Sequence, residues 1–80
     1  MNTVTINRFR DLGAVVKAVR ESRSIRQDDL AEDLAFNRRY LHEIESGKPN
    51  LYITRLFRAL NKLGITVTVT YTLGEEDHHE

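Results

Sequence analysis

The 80-residue sequence contains no cysteine. Disulfide staples, thiolate metal sites and a cysteine nucleophile are therefore excluded, and a reducing compartment suits the chain. It also lacks any apolar run near the roughly 20 residues that cross a bilayer. Its start, Met1-Asn2-Thr3, has neither the basic nor the apolar character of a signal peptide. The expectation is a soluble, cytoplasmic protein with no membrane partner. Eighty residues suffice for one modest core and not for two, so a second catalytic lobe is excluded as well. No internal repeat, linker or low-complexity tract divides the chain.

Net charge is absent only on average. All twelve lysines and arginines lie between Arg8 and Lys62, a stretch with eight acids, which leaves it at +4. The compensating −4 sits in Glu75, Glu76, Asp77 and Glu80. The part expected to fold, residues 1–74, is thus mildly basic, a weak footprint for phosphate attraction, and residues 75–80 read as a disordered acidic tail. Ser22, Ser24 and Ser46 belong to no nucleophile motif and no carboxylates are paired for acid–base work, so neither catalysis nor a cofactor is expected. His78 and His79 stand beside acids but lack a preorganised geometry, so no metal site is expected.

The apolar pattern is richer. Phe9, Leu12, Val15, Val16 and Val19 recur at helical spacing after Asn7, a candidate N-cap, and predict a first helix over roughly 8–23. Ser24-Ile25-Arg26-Gln27 offers a capping box ahead of Asp28 and Asp29, acids suited to the positive end of a helix that runs to about Leu34. Asn37 can cap a third helix over about 38–45, stopped by Gly47 and Pro49. Ile53, Leu56, Phe57, Leu60 and Leu63 mark one face of a fourth, ended by Gly64. Beyond it the period changes to two, with Ile65, Val67, Val69, Tyr71 and Leu73 alternating with threonines, which predicts a strand.

Two short helices separated by Leu34-Ala35-Phe36 can place the second in the major groove of DNA while the first crosses the backbone. The pattern Gln27-x-x-Leu30-Ala31-x-x-Leu34-x-Phe36-x-x-x-x-Leu41-x-x-Ile44-Glu45-x-Gly47-Lys48 resembles the lambda-repressor-like (XRE/Cro) helix-turn-helix family. The resemblance implies a mainly α domain of four to five helices followed by a C-terminal β-strand. It implies burial of Leu30, Leu34, Phe36, Leu41 and Ile44, close helix approach at Ala31, a DNA-backbone contact from Gln27, and an ion pair between Arg20 and Glu45. Ala35 departs from the family, which has glycine there for a left-handed turn. Arg26 departs too, standing where the family often has a serine or threonine cap. From Leu12 to Leu73 the plan is most similar to HipB-type antitoxins, dimeric autorepressors whose partner is a HipA-like serine/threonine kinase toxin.

Arg38 and Arg39 open the third helix, where the macrodipole disfavours cations by up to about 1 kcal/mol. An anionic groove facing that helix end reverses the penalty, and arginine can grip guanine or a phosphate. Asn37, Tyr40 and His42 lie nearby as contacts to DNA or, equally, as cap, packing aromatic and solvated side chain. Lys48 and Asn50 follow in a loop suited to a phosphate or to no partner. The strand residues Ile65, Val67, Val69 and Tyr71 are read as dimerising by pairing residues 65–73 with a second copy; pairing with Thr3-Val4-Thr5-Ile6 of the same chain is the alternative.

The reading is therefore a homodimeric repressor of a palindromic double-stranded operator, with a HipA-like toxin as a further partner implied by resemblance. A stand-alone regulator or a restriction-modification controller would share the operator geometry without a toxin. A module that neutralises a partner protein without touching DNA is the rival from another class.

Overall fold

A computed structural model describes residues 1–74. The element order is β1 (Asn2–Ile6), α1 (Phe9–Ser22), α2 (Gln27–Asp33), α3 (Arg38–Ser46), α4 (Leu51–Lys62) and β2 (Val67–Tyr71). The chain is thus mainly helical, with four helices and one two-stranded sheet among the described residues. The acidic segment 75–80, including His78 and His79, lies outside them. No described helix is long and apolar enough to cross a membrane.

The expected partner of the C-terminal strand is corrected. Within the chain, β2 pairs antiparallel with β1, and the register sets Ile6 opposite Val67, Val4 opposite Val69 and Asn2 opposite Tyr71. The physical reason is the shared period of two. Val4, Ile6, Val67, Val69 and Tyr71 all turn to the covered face, while Thr3, Thr5, Thr68 and Thr70 face solvent. Ile65 lies ahead of the strand and is exposed. The exit from β2 is tied to the end of α1: the Gly74 amide donates to Ser22 Oγ (2.7 Å), and Arg23 Nη2 donates to the Thr72 carbonyl (3.0 Å).

The helix starts differ from expectation by a residue or so, because caps are chosen by backbone geometry as well as residue type. α1 is capped by Arg8 rather than Asn7; its extended backbone lets its own amide donate to Asp11 Oδ2 at 3.3 Å. The Asn7 carbonyl instead accepts from Asn61 Nδ2 of α4. The capping box at Ser24 does not form. Ser24 takes a left-handed φ of 56°, Arg26 is the N-cap, and the Arg26 guanidinium pairs with Asp29. Asn37 and Asn50 do cap, accepting the amides of Arg39 (2.7 Å) and Ile53 (2.9 Å). Gly47 ends α3 at φ 71°, a conformation that costs a residue with Cβ.

The core is centred on α3. Ile6, Ala31 and Leu41 are the described apolar residues fully withdrawn from water. Burying a leucine such as Leu41 stabilises by roughly 1.5–3 kcal/mol. Gly13 brings α1 onto α3 at backbone distance, since a methyl there would collide with the Ile44 carbonyl. Leu30 and Ile44 are half-buried. Leu34 and Phe36, expected inside, are 47% and 39% exposed. They stand at the end of α2 and in the turn after it, while α2 packs principally on α3, which leaves their outer side uncovered.

Candidate nucleic-acid interface

α2 and α3 form the two arms of the site, and the short turn between them sets their angle. Ala35 sits at φ 58° in that turn, the left-handed conformation for which glycine is the usual solution. The turn is held by the Phe36 amide donating to the Ala31 carbonyl at 2.8 Å and the Ala35 amide to that of Glu32 at 3.1 Å. Ala31 is buried where α2 meets α3.

A single carboxylate fastens this unit to α1. Glu45 is 5% exposed and accepts from Arg20 Nε (2.6 Å), Arg20 Nη2 (3.0 Å) and Gln27 Nε2 (3.0 Å). Arg20 spends its remaining terminal nitrogen on the Ile25 carbonyl at 2.7 Å. Burial alone would push the Glu45 carboxyl up. Hydrogen bonds from Arg20 and Gln27 and the charges of Arg20 and Lys17 outweigh it and hold the group below its ordinary value. Arg20 is raised, chiefly by its hydrogen bond to Glu45.

Gln27 is therefore not simply a surface donor. Its side-chain amide already serves Glu45, leaving one of its two hydrogens for another acceptor. Sequence alone offers no way to see this, because a glutamine at a helix start suits a phosphate and a carboxylate equally well.

Of the other expected contacts, Asn37, Arg38, Arg39, Tyr40 and His42 lie at or near the amino end of α3, whereas Lys48 follows its C-terminal end and Asn50 is the N-cap of α4. Arg38 and Arg39 lie in its first turn, which has no acidic residue. Arg38 reaches back to α2, with Nε 2.9 Å from Asp28 Oδ1, and Arg39 Nε lies 3.5 Å from Glu43 Oε2 one turn on. Lys48 Nζ approaches the same Glu43 oxygen at 3.4 Å. His42 is exposed. Tyr40 leans edge-on against Phe36, ring centroids 5.5 Å apart, so the packing aromatic and the exposed side chain are one residue. Asn37 and Asn50 use their Oδ1 atoms as caps, leaving their amide NH₂ groups as the donors that face outward chemistry.

Two functional neighbours were missed from the sequence. Glu43 is the shared ion partner of Arg39 and Lys48, and Asp28, expected as a helix-start acid, also pairs with Arg38. The Arg39–Glu43 pair follows the four-residue spacing of a helix and was available as a signal. The Asp28–Arg38 pair depends on the interhelical angle and was not. Among the described residues, no group of three or more histidine and carboxylate side chains could hold a metal ion.

This arrangement is that of a helix-turn-helix unit, and residues 13–76 match the family model described as a helix-turn-helix domain. The chain belongs to that family. It is also 34% identical over 59 residues to the HTH-type transcriptional regulator y4mF of Sinorhizobium fredii strain NBRC 101917 / NGR234, an alignment covering 74% of this chain and 78% of that protein. No solved structure gives a significant match.

Proposed function

We propose that the chain is a sequence-specific DNA-binding transcriptional repressor that acts as a homodimer on a palindromic operator. The observation that carries this reading is the pair Arg38 and Arg39 at the exposed start of α3. Their cations oppose the helix dipole, so the placement favours an anionic partner over the helix itself. The similarity to the Sinorhizobium transcriptional regulator supports the same class. With α3 in the major groove, Arg38 and Arg39 supply base or phosphate contacts, while Lys48 and the amides of Asn37 and Asn50 supply further donors to the backbone.

A twofold dimer would set two α3 helices about one turn of DNA, roughly 34–36 Å, apart. An apolar stripe on α4 supports dimer formation: Tyr52, Leu56 and Leu63 fall on one line and stay exposed, with Ile65 just beyond. The finer reading is an autorepressing antitoxin that also binds a HipA-like kinase toxin. It rests on the similarity of the plan over residues 12–73, and co-purification with the product of a neighbouring kinase gene tests it.

The central experiment is a mobility-shift titration of the chain on its own promoter. Arg38→Ala with Arg39→Ala abolishes specific retardation while the circular dichroism spectrum is retained. Unchanged operator affinity in that variant would sink the assignment.

A further inference from the structure

Every cation along the α2–α3 edge stands beside an acid of the same edge. Arg26 pairs with Asp29 at 3.0 Å, Arg38 with Asp28 at 2.9 Å, and Arg39 and Lys48 share Glu43 at 3.5 and 3.4 Å. Three of these pairs are local: one spans three residues, one four, and Lys48 lies just past the end of α3. Of these ion pairs, Arg38–Asp28 alone joins the two helices. Both side chains are well exposed, so the pair adds little to stability.

The atom used is informative. Asp28 meets Nε of Arg38, the inner nitrogen of the guanidinium. The carboxylate charge crowds the side-on approach through Nε, and the two terminal nitrogens remain as an end-on fork, a geometry that fits guanine O6 and N7. A charge contact of this kind biases a long side chain toward one orientation before binding and so removes part of its ordering cost from the complex. A carboxylate beside that fork also disfavours its use on an arbitrary phosphate, because a phosphate brought near Asp28 meets a like charge.

We propose that Asp28 is a specificity-determining positioning residue, which holds Arg38 for a base edge and suppresses its use as a general phosphate clamp. This rests on the DNA-binding reading above. Asp28 thereby raises the ratio of specific to non-specific affinity rather than affinity as such.

The test uses the full chain and two duplex probes, one enriched by it from a randomised library and one scrambled from that sequence, in anisotropy titrations at several salt concentrations. Asp28→Asn lowers the ratio of the two affinities about tenfold. It does so by weakening the enriched duplex, while the scrambled duplex is bound as well or better and its salt dependence steepens by about one phosphate contact. In an Arg38→Gln background the same substitution leaves the ratio unchanged. Parallel loss on both probes, which a purely structural role produces, or a ratio that holds or rises, overturns the proposal. If the unaltered chain enriches no sequence, the failure belongs to the DNA-binding reading itself.

Discussion

A glutamate rarely settles at 5% exposure, since an ionised carboxylate stripped of water is costly unless its oxygens are matched. Glu45 is matched three times, by two nitrogens of Arg20 and by Gln27. Its carboxyl is held below the ordinary glutamate value of 4.5. The stability it contributes is therefore complete above the unfolded value and lost as pH falls through the lower folded value. Urea midpoints should hold steady near neutrality and drop on the acid side of about pH 5. Glu45→Gln should cost about 3 kcal/mol at pH 7, because the largely buried Arg20 loses its close charged partner and keeps only the more distant Glu21 carboxylate and the Ile25 carbonyl, and should flatten that acid limb. An acid limb as steep as in the unaltered chain would show that other carboxylates carry it. Arg20 and Glu45 were legible from a resemblance at two positions 25 residues apart. Gln27 as their third member was not, because residue type fixes what a side chain can donate and not which acceptor the fold brings within reach.

At the scale of elements, the turn after α2 stores a small strain. A residue with Cβ in the left-handed region costs roughly 1–2 kcal/mol, and Ala35 occupies it at φ 58°. Ala35→Gly releases that cost against a loss of unfolded-chain restriction, so thermal unfolding should shift upward by the equivalent of about 0.5–1 kcal/mol. A downward shift would mean that the turn tolerates the methyl. This strain was readable in advance because the family places glycine at that point of the motif. The four helices were readable from apolar spacing, which burial enforces along a whole face. Helix starts were less so: Asn7 and Ser24 have capping side chains, but the backbone reaches cap geometry at Arg8 and Arg26. Strand pairing was the least legible. Alternating valine and threonine define a face and leave the partner open, and here β1 is that partner.

The molecule as a whole is spread thinly for its size. Its radius of gyration is 14.1 Å, against about 12 Å for a compact domain of this length. Its fully buried apolar set is small, whereas Tyr52 and Leu63 of the α4 region stand 83% and 71% exposed. A second copy packed on α4 would cover that stripe. Leu56→Glu with Leu63→Glu should then raise the dimer dissociation constant tenfold or more in sedimentation equilibrium and weaken operator binding with it. A sedimentation profile unchanged by the pair of charges would place the contact elsewhere. The sheet adds a consequence of another kind. β1 is made before β2, yet its register partner for Ile6 is Val67, beyond all four helices. During synthesis Ile6 must wait, without its ladder, until the helix-turn-helix unit has emerged, and closing so long a loop carries an entropic cost that grows slowly with its length. The helices of the helix-turn-helix unit are thus free to assemble first, and joining the two strands becomes a late step of folding.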